Sequence, residues 1–283
     1  MMRMLQKIGF FGKGGIGKSV VVSHISVALS RMGYHVLQVG NDLSLSSTVL
    51  LRKNEKILPA MEVYCKKYEI SLEDLIVKSE SGVYCLELGS VTPGMGCIAR
   101  GVELMTEMLC LQNIIEKLSL DYILYDLTIE APCTGQFRAI RNGMFDRSIL
   151  ITGNTFASLC TVNAILQAME QAANHIPYCV QIIMNQVNCE SLREEINAYA
   201  SKTNIPVLCC IYNLSELGNC CQCVKTVFEL YPDSEVASMF MHLAYRLIQE
   251  QEAVVTHSFE RNNLIDWDRM WKKLGEFDVY NFN

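Results

Sequence analysis

Gly12-Lys13-Gly14-Gly15-Ile16-Gly17-Lys18-Ser19 stands between two patterned stretches. Before it, Leu5 to Phe11 is an apolar run of strand length; after it, Lys18 to Met32 places apolar residues at helical spacing and stops at Gly33, a helix-ending residue. Strand, glycine-rich loop and helix together form the setting in which this string binds phosphate. Gly12, Gly14, Gly15, Ile16 and Gly17 let consecutive backbone N–H groups converge on phosphate oxygens, and the helix N-terminus adds its positive dipole end. Lys18 then neutralises β/γ charge, and the Ser19 hydroxyl can ligate Mg²⁺.

Outward from the loop, apolar runs and helical patterns alternate. Tyr34 to Val39, Val83 to Leu88, Tyr122 to Leu127, Arg147 to Thr152, Val180 to Met184 and Pro206 to Ile211 read as further strands. Helices fit near 101–118, 157–173, 190–201 and 234–250. The order predicts right-handed βαβ units in a doubly wound, mostly parallel sheet flanked by helices, an α/β P-loop NTPase fold. No internal repeat, Pro- or Gly/Ser-rich linker or charge block divides the chain. The expected organisation is a P-loop domain over 1–250 and a C-terminal extension over 251–283, which carries both tryptophans, Trp267 and Trp271, and wraps a surface.

Composition narrows the partners. The chain has 283 residues, is 50% hydrophobic and 19% charged, and so buries a sizeable core. A net charge of −6 gives no basic footprint for nucleic acid. The longest apolar stretch, Ser19 to Leu29, is interrupted by Ser23, His24 and Ser26, so no membrane span is expected. The N-terminus resembles no signal peptide, and a cytoplasmic location is expected. Thirteen cysteines then sit in a reducing compartment. Cys85, Cys110, Cys160, Cys179 and Cys209 lie in apolar stretches and read as small core residues.

Two other cysteines carry chemistry. Cys97 follows the third strand and Cys133 follows Tyr122-Ile123-Leu124-Tyr125-Asp126, a strand ending in the carboxylate expected to face Mg²⁺. Both thiols therefore fall on the C-terminal edge of the sheet, the ligand edge, with the phosphate loop. A cube of four irons takes four thiolates, and a twofold dimer would supply them as two pairs around one cluster on its axis. Arg100 and the helix start after Cys97 would add positive charge beside that anionic cluster. Cys220-Cys221-Gln222-Cys223 is dense enough to suggest metal, but adjacent ligands strain a tetrahedral site and no further ligand stands at zinc spacing. His24, on the first helix, reads as structural.

These motifs resemble known families. The second lysine of the loop, Lys13, is similar to that of dimeric ATPases such as MinD, ParA and the nitrogenase iron protein, which implies that it reaches the partner subunit's nucleotide. Gly96-Cys97-x-x-Arg100-Gly101-Val102, Tyr125-Asp126 with Cys133 beyond, and Lys225-Thr226-Val227 before Tyr231-Pro232-Asp233-Ser234 narrow this to the nitrogenase iron protein family. That family includes the ATPases of light-independent protochlorophyllide and chlorophyllide reductases and the reductase of nickel-tetrapyrrole synthesis. The resemblance spans roughly residues 5 to 250. It implies a homodimer of an anaerobe with one bridging [4Fe-4S] cluster and MgATP. Such a dimer takes electrons from a low-potential donor such as ferredoxin or flavodoxin and passes them to a nitrogenase-like catalytic protein.

The chain also departs from that family. After Asp42, a candidate for Mg²⁺ assistance or water orientation, it reads Leu43-Ser44-Leu45-Ser46-Ser47 where the family usually has Pro-Lys-Ala-Asp-Ser. Asp126-Leu127-Thr128-Ile129 lacks the glycine of the usual Asp-x-x-Gly, and Glu130 replaces an aspartate as water-orienting residue. Asn185 fits the adenine-contacting asparagine, while the usual Pro-Arg-Asp adenine loop is here Ile211-Tyr212-Asn213. Lys13, Asp42 and Glu130 are the expected catalytic residues of a divergent paralogue. Two alternatives stand beside the electron carrier: a non-redox MinD/ParA-type switch ATPase and an iron–sulfur cluster carrier. The cysteine pair and the tail, which mixes acidic and basic residues without a basic face, favour the first reading over the switch.

Overall fold

The computed structural model describes residues 4–53, 55–66, 71–89, 98–127, 144–153, 155–174, 176–249 and 252–280. Its strands are β1 (Gln6–Gly12), β2 (Val36–Gly40), β3 (Val77–Lys78), β4 (Tyr84–Glu87), β5 (Tyr122–Asp126), β6 (Arg147–Thr152), β7 (Val180–Val187) and β8 (Val207–Tyr212). They form a sheet in the order β3-β4-β2-β5-β1-β6-β7-β8. Every pairing is parallel except β3 with β4, an antiparallel edge that the sequence pattern did not reveal because β3 is only two residues long. From β1 the chain winds one way through β2 and β4, returns as β5 beside β1, and winds the other way through β6, β7 and β8. Reversal at β1 opens the ligand crevice at the C-terminal ends of the strands, where the phosphate loop begins.

The helices are α1 (Lys18–Arg31), α2 (Val49–Arg52), α3 (Ala60–Lys66), α4 (Ile98–Leu111), α5 (Ile114–Lys117), α6 (Phe156–Ala173), α7 (Glu190–Thr203), α8 (Ser215–Cys223), α9 (Val227–Leu230), α10 (Glu235–Ile248) and α11 (Arg261–Tyr280). Strand alternation sorts the sheet's side chains into two cores. Ile8, Phe10, Val36, Leu124, Ile149 and Ile183 pack with α1 and α10, whereas Phe11, Leu37, Ile123, Tyr125, Leu150 and Ile182 pack toward α4, α6 and α7. Leu264 and Trp267 of α11 join the second core.

Local chemistry sets the helix ends. Beyond α1, Gly33 takes φ 85°; its N–H donates to Ser30 O (3.0 Å) and that of Tyr34 to Leu29 O (3.1 Å), the paired bonds of a glycine-terminated helix. Thr155 caps α6 and Ser234 caps α10 through their hydroxyls. The helix expected over 101–118 is instead two, because Asn113 adopts the left-handed conformation, φ 55°, and starts α5. Cys110 also departs from expectation: it sits in the last turn of α4 on the solvent side and is exposed, while Cys85 is buried and Cys160, Cys179 and Cys209 are half-buried. No helix among the described residues is long and apolar enough to cross a membrane.

Residues 252–259 run as a strap across α6 and α7. Tyr178 and Val254 pair by two backbone hydrogen bonds (3.1 and 3.0 Å). Asn163 of α6 holds Phe259 at both its N–H (2.9 Å) and its carbonyl (2.8 Å). Glu170 accepts hydrogen bonds from the Thr256 hydroxyl, the Ser258 N–H and the Ser258 hydroxyl.

Candidate functional site

The phosphate loop leaves β1 at Gly12 and enters α1 at Lys18. Gly17 is the N-cap of α1 at φ 82°, a left-handed conformation in which a side chain is strained, and an added Cβ would stand 2.6 Å from Asn185 Nδ2. With no side chain capping this end, the first N–H groups of α1 are available to an anion. Asn185 Nδ2 donates to Ile16 O (2.7 Å) and so braces the loop from β7. It reaches there through an irregularity in the β7–β8 register between Met184 and Val187, at which Gln186 takes φ 57°. The residue expected to contact adenine stands here as a buttress of the loop. Lys13 is exposed on the loop, and Lys18 is buried.

Lys18 points at β5. Its Nζ lies 3.9 Å from Asp126 Oδ1, and Asp126 is fully buried with neither carboxylate oxygen hydrogen-bonded among the described residues. A buried carboxylate in that state is costly unless a cation or polar ligand completes it. The residues thus fit MgATP: the glycine loop and α1 N-terminus toward phosphate, Lys18 beside it, and Asp126 with Ser19 on the Mg²⁺ side.

Asp42, just past β2, is half-buried and accepts hydrogen bonds from the hydroxyls of Ser44 and Ser46. Burial alone would raise its carboxyl, but the two serine hydroxyls and the N–H groups of Ser44 and Leu43 outweigh it and hold the group below its ordinary range. The serines that stand in the divergent segment thus cap the aspartate internally.

Sequence reasoning missed Glu87. It ends β4, is fully buried, and its Oε1 accepts from both the N–H and the hydroxyl of Thr48 (2.7 Å each). Burial pushes its carboxyl up to about 7 against the pull of those hydrogen bonds, and the charge of Asp126 acts in the same direction as burial. The only sequence signal was an acidic residue at the C-terminal end of a strand.

Cys97, Cys133, Thr128, Ile129 and Glu130 lie outside the described residues. Helix α4 begins at Ile98, immediately after Cys97. In α8, Cys220 is buried whereas Cys221 and Cys223 are exposed, so the three thiols do not converge, and no group of three metal-ligating side chains occurs among the described residues. His24 is buried on α1, stacked on Phe240 with ring centroids 4.6 Å apart. Its Nε2 accepts the N–H of Val227 (3.0 Å), so Nδ1 carries the proton and donates to Val20 O (2.7 Å). That is a structural role.

Fold, phosphate loop and buried Asp126 define a P-loop nucleotide-binding protein. The family model for 4Fe-4S iron sulfur cluster binding proteins, NifH/frxC family, matches residues 6–272, and the chain belongs to that family. Its cofactors are a [4Fe-4S] cluster shared between two subunits and MgATP. Among its relatives, nitrogenase iron protein 2 of Paenibacillus durus is 29% identical over 274 residues, covering 96% of this chain and 94% of the relative. The light-independent protochlorophyllide reductase iron-sulfur ATP-binding protein of Rubrivivax gelatinosus is 29% identical over 243 residues, 84% of this chain and 78% of the relative. Among solved structures, the MinD of Pyrococcus horikoshii complexed with Mg-ADP superposes with TM-score 0.66 at 20% identity, covering 87% of this chain and 97% of that one. The MinC:MinD complex of Aquifex aeolicus gives 0.69 at 16% identity, covering 90% and 100%. These two likenesses concern the fold alone.

Proposed function

We propose that the chain is the ATP-dependent reductase component of a two-component system. It acts as a homodimer whose single [4Fe-4S] cluster is held by Cys97 and Cys133 of each subunit, and it passes electrons to a separate nitrogenase-like catalytic protein. The family match over residues 6–272 carries this reading. The names of the relatives, a nitrogenase iron protein and a protochlorophyllide reductase ATP-binding protein, support the same class of activity. Residues 1–250 form the ATPase and electron-transfer domain, and 251–283 the C-terminal extension. Ferredoxin or flavodoxin supplies the electrons.

Within this reading the chain's own groups divide the work. The glycine loop and α1 bind the phosphates, Lys18 offsets their charge, and Asp126 and Ser19 hold Mg²⁺. Lys13 reaches the partner's nucleotide and reports closure of the dimer. Asp42 and Glu130 orient the attacking water. The cluster supplies one-electron chemistry when bound; the nucleotide controls the approach of the two subunits.

Anaerobic purification tests the proposal by counting iron and sulfide and recording the EPR spectrum. About four irons per dimer are expected, as one cube requires. Cys97→Ser or Cys133→Ser should each abolish the cluster, and Cys85→Ser, altering a thiol buried in the core, should retain it. A full cluster in either of the first two variants would refute the bridging assignment.

A further inference from the structure

Gln38 is a fully buried amide on the central strand β2, where its neighbours Leu37 and Val39 are apolar core residues. A polar side chain there is retained without penalty only if its hydrogen bonds are met. They are: Oε1 accepts from Ser26 Oγ (2.8 Å), and Nε2 donates to Ser47 O (2.8 Å) and to Ser23 Oγ (3.2 Å). The Ser47 carbonyl fixes the amide's orientation, because a reversed amide would set two acceptors against each other. Ser23 and Ser26 belong to α1, the helix that opens at the phosphate loop, and both are fully buried. Ser47 and Thr48 belong to the segment that follows Asp42. One side chain therefore ties the phosphate-loop helix, a central strand and the Asp42 segment together.

Glu87 holds the next residue of that segment through the N–H and hydroxyl of Thr48. Sheet register explains the convergence. Gly40 lies directly between Glu87 and Asp126, paired with each across β2. A Cβ on Gly40 would meet Glu87 Oε2 at 2.2 Å and Ser47 Cβ at 2.4 Å, so only glycine lets both side chains settle over the strand end. Toward the other end of the segment fewer bonds reach outside it: Arg52 Nη2 of α2 donates to Leu45 O (2.7 Å). Leu43, Ser44 and Ser46 are exposed, and the hydroxyls of Ser44 and Ser46 are turned inward on Asp42.

We propose that Gln38 and Glu87 are positioning residues. They anchor the Ser47–Thr48 foot of the Asp42 segment to the phosphate-loop helix and to β4, so that the segment answers the nucleotide as a short tip, Asp42 to Ser46, pivoting on a fixed foot. The anchoring stands on geometry alone; its role in hydrolysis rests on the proposed ATPase reading.

Hydrogen exchange on the nucleotide-free dimer, resolved at residues 45–49, tests the anchor without needing either cluster or turnover. Gln38→Leu and Thr48→Val should each speed exchange of these amides about tenfold or more while β1 and β5 exchange at parental rates. Thr48→Ser, which keeps the hydroxyl, should match the parent. Steady-state hydrolysis then tests the role: kcat should fall about tenfold in Gln38→Leu with KM for MgATP within about twofold, since the phosphate loop is untouched. Parental exchange at 45–49 in both Gln38→Leu and Thr48→Val would overturn the anchor. So would equal acceleration in β1 and β5, which would reveal only lost stability. A parent that hydrolyses no ATP would sink the ATPase reading and leave the exchange result to decide the anchor.

Discussion

At the scale of single residues, the proposed function divides two lysines of one loop between two nucleotides. Lys18 is buried against Asp126 of its own chain, and under that proposal Lys18→Ala should lose nucleotide binding in equilibrium titration. Lys13 is exposed, so Lys13→Ala should bind nucleotide normally and fail to compact in solution scattering with a non-hydrolysable analogue. His24 gives a prediction of another kind. Desolvation lowers its pKa from 6.5 to about 4, against the opposing effects of the Val20 carbonyl and Glu229. Between those values the unfolded chain binds the proton and the folded one does not, so stability rises with pH across that window and is lost as pH falls. The parent's unfolding free energy, measured relative to His24→Leu, should drop by about 3 kcal/mol from pH 6.5 to pH 4. A pH-independent difference would mean that His24 is protonated in the fold.

Among the elements, the C-terminal strap shows how a segment without a sequence signature is held by acceptors on its host. Glu170 on α6 accepts three hydrogen bonds from Thr256 and Ser258, and Tyr199 on α7 stacks with Phe259, their centroids 5.7 Å apart. Charge-assisted bonds of this kind contribute about 1.5 kcal/mol or more together, so Glu170→Ala should lower the midpoint of thermal unfolding by a few degrees. Gln167→Ala, which removes one neutral bond to Phe259 O, should cost less. The phosphate loop and the parallel strands were legible because each carries a local signal: glycine spacing, apolar runs, a helix stop at Gly33. Glu87 and Gln38 were not, since a lone polar residue in a strand looks like solvent exposure. What gives them meaning is register, which sets Gly40 between Glu87 and Asp126 and cannot be read along the chain. The break at Asn113 was hidden for a different reason: one left-handed residue interrupts an apolar periodicity that continues on both sides.

In the whole molecule, the proposed tip lies past the C-terminal end of β2, on the ligand edge where the proposed partner would dock. Ser44 and Ser46 both donate to Oδ2 of Asp42 and hold the carboxylate in one orientation within the tip, so turning that oxygen toward water requires breaking these hydrogen bonds. For exposed serines each bond stabilises the capped form by about 1 kcal/mol, a factor of about five in the population of an uncapped Asp42. Hydrolysis should accordingly be slow in the isolated dimer and rise when a catalytic protein docks, because docking energy can be spent on repositioning the tip. Ser44→Ala with Ser46→Ala removes the internal caps and should raise partner-free hydrolysis about fivefold or more while shrinking the stimulation by the partner. Ser46→Asp should act differently: it restores charge toward Mg²⁺ but sets a second carboxylate against Asp42, so its benefit should appear only at saturating Mg²⁺. Combined with Ile129→Gly, it should speed partner-free turnover further if the altered loops limit the rate. Double variants no faster than the parent, with nucleotide still bound, would show that neither the caps nor the loops limit turnover. Repeated electron transfer supported by Glu130→Gln would then point to nucleotide binding, rather than hydrolysis, as the event that drives the cycle.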